Sequence, residues 1–166
     1  MAEPGVAEPR RRSVQCASPK GLHRIAYVEW GDPRNRDVLV CVHGLTRSSR
    51  DFDELARALC SQFRVACPDL AGRGDSDRLV DPMLYIIPQY FSDMDLWNLY
   101  DAVRCPTLVL RGAESDLLSR DTAAQMARRG PKAKVVEIAG VGHAPTLLNP
   151  DQIGIVRDFL LQAETP

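Results

Sequence analysis

The sequence of 166 residues has little that would assign it to a membrane or to a nucleic acid. No apolar run approaches the length of a membrane span, and the N-terminus has no hydrophobic stretch typical of a secretory signal. The formal net charge is −1, so electrostatics give no reason to expect nucleic acid or an anionic membrane as a partner. We therefore expect a soluble globular protein of the cytoplasm.

The cysteines lack any recognisable pattern. They lie singly at Cys16, Cys41, Cys60, Cys67 and Cys105. No C-x-x-C pair or histidine-rich spacing indicates a metal site. An odd number of cysteines without a secretory signal favours reduced thiols, most of them packed as small hydrophobic side chains. We expect no metal and no other cofactor.

Length and composition bound the domain organisation. A chain of 166 residues is long enough to bury one core. Residues 1–12 are rich in Pro, Glu and Arg and predict a disordered tail, in which the basic run Arg10–Arg12 is solvated. Residues 13–166 are then expected to form a single domain.

Apolar segments in the first half predict strands. Leu22–Trp30 is rich in aromatic and β-branched residues, and Val38–Val42 is a short apolar run. We expect these two to form an antiparallel hairpin whose second strand is buried on both faces. Asp51 and Glu54 resemble a capping box that starts a helix, and Phe63–Cys67 predicts the next strand. Strand, helix and strand at this spacing indicate a βαβ unit, which builds parallel sheets.

The second half alternates strands and helices. Thr107–Leu110 and Lys134–Ile138 predict two strands, with a helix between them from about Ser119 to Arg129. A final helix follows Asn149 and Pro150, which are a good N-cap and a good first helical residue. The expected fold class is α/β, a mostly parallel sheet flanked by helices with an N-terminal antiparallel hairpin.

Candidate functional residues follow three of the predicted strands. His43-Gly44-Leu45 leaves the second strand, and Asp116 and His143 lie in the loops after the last two. In an open α/β sheet, ligands bind beyond the carboxyl ends of the strands. Taken singly, such a glycine is commonly a turn residue, the aspartate a helix cap and the histidine a surface residue. Their order and common placement favour a site.

Four segments together resemble the α/β-hydrolase family. Val38–Gly44 resembles the strand that ends in the oxyanion loop, and Asp69–Asp77 is similar to the D-x-x-G-x-G-x-S motif after the next strand. Pro106–Gly112 with Asp116 resembles the strand and loop of the catalytic acid, and Gly142-His143 resembles the histidine loop. The four stand in the family's chain order, and the resemblance covers roughly residues 20–78 and 95–162.

The resemblance implies a role for each candidate residue. His143 would be the general base and Asp116 would orient its imidazole, as in a Ser-His-Asp mechanism on small esters or related acyl compounds. The backbone N–H of Leu45, after His43 and Gly44, would supply half of an oxyanion hole. The implied partner is a small acyl substrate.

The nucleophile elbow of that family, G-x-S-x-G, occurs nowhere in the sequence. The chain resembles a reduced hydrolase from which an internal block is excised, with the junction near residues 80–95. The block would carry the nucleophile, two central strands and the lid. Ser48 and Ser49 are better explained as caps, Ser76 as a residue that ties down its loop, and Cys41 as core, so the nucleophile is unknown.

The missing block sets the functional expectations. The chain would be inactive or feeble, or it would be a non-catalytic binding or dimerisation module, or a truncated or mis-spliced product without selected function. Excision would leave Val38–Val42 with an exposed edge through which a homodimer could form. We expect Thr107–Leu110 to pair directly with Val38–Val42 and so to cover that edge.

Overall fold

The computed structural model of the chain describes residues 8–18, 21–78 and 95–163. The chain divides into two compact units, Met1–Asp81 and Pro82–Pro166. The junction predicted near residues 80–95 lies outside the described residues, apart from Asp95. None of the helices in those ranges is both long and apolar enough to span a bilayer.

The first unit is built on a mixed sheet. Its elements are β1 (Arg10–Ser18), β2 (Gly21–Trp30), β3 (Val38–Val40), a 3-10 turn (Ser49–Phe52), α1 (Asp53–Leu59) and β4 (Arg64–Pro68). The strand order is β1-β2-β4-β3, with β2 antiparallel to both of its neighbours and β3 parallel to β4. The βαβ unit predicted from the sequence is confirmed.

The structure has an N-terminal antiparallel hairpin, formed by β1 and β2. The predicted pairing of Leu22–Trp30 with Val38–Val42 is wrong, because β4 lies between β2 and β3. Strand β1 begins at Arg10, so the last three residues of the predicted disordered tail belong to a strand. Arg10 donates from Nε to Glu29 Oε1 at 3.2 Å, and Arg64 of β4 donates to Glu29 Oε2 at 2.9 Å. Because Glu29 is buried and needs cationic partners, the basic run serves as part of the sheet.

The prediction that the strand at Val38–Val42 is buried on both faces is wrong. Strand β3 lies at the end of its sheet, and Val38, Val40 and Val42 are about half exposed, whereas Cys41 is buried. The direct pairing with Thr107–Leu110 is also wrong. Among the described strands β3 pairs only with β4, so no described strand lies at its other edge.

Helix α1 starts later than the capping-box pattern predicts. The side chain of Asp51 accepts a hydrogen bond from Arg47 Nε at 2.5 Å, and neither Ser48 nor Phe52 makes a side-chain cap. The 3-10 turn takes the place of the expected first helical turn. The apolar face of α1 packs inward, because Leu55 and Leu59 are buried.

The second unit contains α2 (Trp97–Ala102), β5 (Leu108–Gly112), α3 (Arg120–Met126), β6 (Lys134–Ile138) and α4 (Pro150–Ala163). Strands β5 and β6 are parallel. Ser119 Oγ accepts from the N–H of Thr122 at 3.0 Å at the start of α3, and Asn149 Oδ1 accepts from Asp151 at 2.8 Å at the start of α4. The predicted α/β class and both helix starts are confirmed.

Candidate active site

His43 is a buried structural residue of the loop after β3. It is 4% exposed, and its Nε2 accepts a hydrogen bond from the backbone N–H of Leu70 at 3.0 Å. The donor at Leu70 makes Nε2 an acceptor, so Nδ1 carries the proton and donates to the Gly44 carbonyl at 2.7 Å. The neutral ring therefore joins the loop after β3 to the loop after β4.

Asp69 is the centre of the loop that follows β4. Its side chain is buried, and Oδ1 accepts from the Ser49 N–H at 2.7 Å while Oδ2 accepts from the Asp75 N–H at 2.9 Å. Gly74, at φ +49°, passes so close that an added Cβ would lie 2.1 Å from the carboxylate carbon. Burial raises the pKa of Asp69, but the two backbone N–H groups outweigh it and the net pKa is lowered.

Ser76 anchors the same loop to the sheet. Its hydroxyl donates to the Asp69 carbonyl at 2.7 Å and accepts from the Ala26 N–H of β2 at 2.8 Å. The prediction that Ser76 ties down its loop is confirmed. The D-x-x-G-x-G-x-S segment therefore stabilises the loop that carries the predicted oxyanion residues.

Arg73 fixes the peptide that follows Leu45. Its Nε donates to the Leu45 carbonyl at 2.8 Å, and Nη1 donates to the Ala71 carbonyl at 3.1 Å. Within residues 8–18, 21–78 and 95–163, no acceptor takes the Leu45 N–H, and an added Cβ at Gly44 would meet no atom within 4 Å. The Leu45 N–H thus has no acceptor among the described residues and its loop is held in place, although its role in an oxyanion hole stays a prediction. In the sequence, the only signal for Asp69 and Arg73 is their place in the motif, which predicts no role for either residue.

The lowered pKa of Asp69 predicts a loss of stability in acid. The carboxylate binds its proton more readily in the unfolded chain, so its contribution is complete above the unfolded pKa and disappears as the pH falls through the lower folded pKa. Urea unfolding between pH 7 and pH 3, followed by tryptophan fluorescence, should show a smaller decline for Asp69→Asn than for the parent. Equal declines would contradict the prediction. The difference between the proteins is the readout because the pKa values of Asp32, Asp101 and Glu137 are also lowered.

Arg111 organises the loop that carries Asp116. This residue of β5 is buried, and it donates to the Leu118 carbonyl at 2.7 Å and to the Ser115 carbonyl at 3.3 Å. Glu137 of β6 balances its charge at 2.6 Å. Sequence reasoning missed Arg111, although a single cation in an otherwise apolar strand was a signal that it has a buried partner.

The loops of Asp116 and His143 are joined by backbone contacts. The N–H of Glu114 donates to the Val141 carbonyl at 3.0 Å, and the N–H of Ala113 donates to the Ile138 carbonyl at 2.9 Å. Asp116 and His143 themselves are exposed. No hydrogen bond or ion pair links their side chains in the described part of the chain. The structure therefore brings together the two loops and leaves the catalytic pairing a prediction.

The candidate nucleophiles considered from the sequence are poorly placed for attack. Ser49 is 1% exposed and Cys41 is 7% exposed, so neither can meet a substrate without local opening. Ser48 is partly exposed at the start of the 3-10 turn. Among the described residues, no group of three or more His, Cys, Asp or Glu side chains is arranged to hold a metal.

Comparison with known sequences gives two matches. The model of the alpha/beta hydrolase fold family matches residues 37–105. A 3-hydroxybutyrate-oligomer hydrolase from Cupriavidus necator is 31% identical over 291 residues, and the match covers 95% of this chain and 99% of that protein.

Solved structures agree on the fold. An alpha/beta hydrolase from Novosphingobium aromaticivorans matches with a TM-score of 0.74 at 24% identity, covering 95% of this chain and 100% of that one. A thermophilic esterase from Thermogutta terrifontis matches with a TM-score of 0.73 at 17% identity, covering 94% and 100% respectively.

Proposed function

Because the chain belongs to the α/β-hydrolase family, we propose that it is a reduced serine hydrolase that has lost its nucleophile and is inactive or feeble. The observation that carries the proposal is the absence of any G-x-S-x-G elbow from a chain that otherwise follows the family's motif order. The ancestral reaction would be hydrolysis of small esters or related acyl compounds.

Two further observations support an internal loss. The alignment with the Cupriavidus hydrolase runs over 291 residues, which is more than the 166 residues of this chain. The described strands form two separate sheets, one ending at β3 and the other containing only β5 and β6. The proposed lost block includes two central strands, and these would belong between β3 and β5 in the strand order of the family.

The proposed roles follow from the groups that remain. His143 would take a proton from a nucleophile and return it to the leaving group, and Asp116 would hold its imidazole and stabilise the cation. The N–H of Leu45 would donate to the oxyanion. Without the elbow the second oxyanion donor and the acyl-enzyme are both lost, so general-base assistance to water is the most that the site can offer. The name of the Cupriavidus relative supports oligomers of a hydroxy acid as the ester class.

We expect a fluorophosphonate probe to label no serine in the full chain. We also expect hydrolysis of p-nitrophenyl butyrate and of 3-hydroxybutyrate oligomers to be no faster than with the His143→Ala variant. Mass spectrometry of the intact protein and a spectrophotometric assay measure these two outcomes. The Cupriavidus hydrolase serves as positive control, and His23→Ala serves as the matched histidine variant. A single labelled serine whose labelling His143→Ala abolishes would overturn the proposal.

A second candidate function is that of a non-catalytic dimerisation module. It is favoured by the half-exposed valines of β3 at an open sheet edge, where a family member with a complete sheet would have a neighbouring strand. This candidate needs no catalytic residue, and sedimentation of the unmodified chain over micromolar concentrations tests it. A monomer throughout would contradict it.

A further inference from the structure

The outer edge of β3 presents backbone groups that no described strand uses. On the inner edge, the N–H of Cys41 donates to Ala66 and the carbonyl of Asp37 accepts from Arg64, both at 2.9 Å. Successive residues of a strand direct their backbone groups to opposite edges. The N–H and carbonyl groups of Val38 and Val40 therefore point outward, away from β4.

Nothing in this segment repels an added strand. The side chains of Val38, Val40 and Val42 are 47%, 57% and 56% exposed, and residues 38–42 carry no charge. The opposite edge of the same sheet is β1, which begins with three arginines. Charged residues are the usual means of protecting a sheet edge from pairing. Among the described residues, the β1 edge of this sheet thus carries charges that disfavour pairing with an added strand, and the β3 edge carries none.

We infer that β3 pairs antiparallel with β3 of a second copy of this chain, about a two-fold axis at Val40. The occupant is a second copy because the segment Val-Leu-Val-Cys-Val reads almost the same in both directions. Antiparallel pairing centred on Val40 places Val38 of one copy opposite Val42 of the other, so identical apolar side chains meet on one face. The inference rests on the second candidate function and is independent of the catalytic proposal.

The register also gives hydrogen-bond partners to the outward backbone N–H and carbonyl groups. At Val40 the two copies would exchange both N–H···O=C bonds, because its groups point to the outer edge in each copy. The Val38–Val42 pairs would do the same on either side of the axis. Residues Leu39 and Cys41, whose groups serve β4, would keep their existing bonds.

Analytical ultracentrifugation of the full chain with paired charge variants tests the inference. We expect the parent to dimerise, and Val40→Lys and Val40→Glu each to weaken dimerisation by at least about tenfold, because like charges would meet on the axis. An equimolar mixture of the two variants should recover dimers, since unlike charges then meet. Val14→Lys is the matched control, because Val14 is 50% exposed on the opposite edge strand, and it should leave dimerisation unchanged.

The outcomes distinguish the dimerisation function from the pairing of β3 about Val40. A parent that stays monomeric overturns both the dimerisation function and the β3 pairing. Dimers that both Val40 variants retain, or that the mixture does not recover, overturn the pairing about Val40 while the dimerisation function stands. Far-ultraviolet circular dichroism of each variant must match the parent.

If the charged variants do not fold, a second pair of variants tests the pairing. Val40→Thr keeps the β-branched shape, whereas Val40→Pro removes the outward N–H without affecting β4. Val40→Thr should therefore weaken the dimer less than Val40→Pro. Equal dimerisation of these two variants would overturn the pairing.

Discussion

Replacement of Asp69 by alanine is expected to lower the free energy of unfolding of the first unit by about 3 kcal/mol, because two charge-assisted hydrogen bonds are lost in a buried place. The variant leaves the N–H groups of Ser49 and Asp75 without their acceptors. It also leaves a void beside Gly74, whose backbone packs against the carboxylate. The loop braced by Asp69 should loosen together with the 3-10 turn.

Urea unfolding followed by the fluorescence of Trp30 measures this effect. Trp30 is 1% exposed in the first unit, and a Trp97→Phe background in all proteins removes the signal of the second unit. Asp75→Ala is the matched control, since the exposed Asp75 side chain makes only a surface ion pair with Arg11 and its backbone N–H is unchanged. Similar midpoints for the parent and Asp69→Ala would show that the network contributes little.

The sequence was sufficient for elements whose signals are local. The helix start near Ser119 and the cap at Asn149 depend on residues a few positions apart, and the structure has both as predicted. Strand pairing is not local. In the register of β1 with β2, Arg10 lies opposite the buried Glu29 and donates to it, a contact between residues 19 positions apart that no periodicity reveals. A solvated tail was therefore the natural interpretation of Arg10–Arg12.

The candidate site shows the same limit. The motif order selects the loops of Leu45, Asp116 and His143 as the candidate site, and their catalytic roles stay predictions. The residues that hold those loops are Arg73 and Arg111, and both act through backbone carbonyls. A side chain that binds carbonyls leaves no complementary residue type to recognise in the sequence. The carbonyl partners become visible only in the structure, although a single cation in an apolar strand, as at Arg111, signals that a buried partner exists.

The closest backbone approach in the second unit is at Gly112, so Gly112→Ala is expected to have a large effect there. An added Cβ would lie 1.8 Å from the carbonyl oxygen of Gly142 and 2.4 Å from that of Val141. These are backbone atoms, which no side-chain rotation can clear, so the loops carrying Asp116 and His143 must separate. We expect a loss of about 3 kcal/mol in the free energy of unfolding, at the upper end for overpacking.

Hydrogen exchange at two amides reports that separation directly. The N–H groups of Ala113 and Glu114 donate across the two loops, so their exchange should accelerate about one hundredfold in Gly112→Ala if the loss is about 3 kcal/mol. Gly142→Ala is the matched control, because an added Cβ there meets no atom within 4 Å, and it should leave both amides protected. Unchanged exchange in Gly112→Ala would mean that the loops move together. The contact between the acid and histidine loops would then not depend on glycine at position 112.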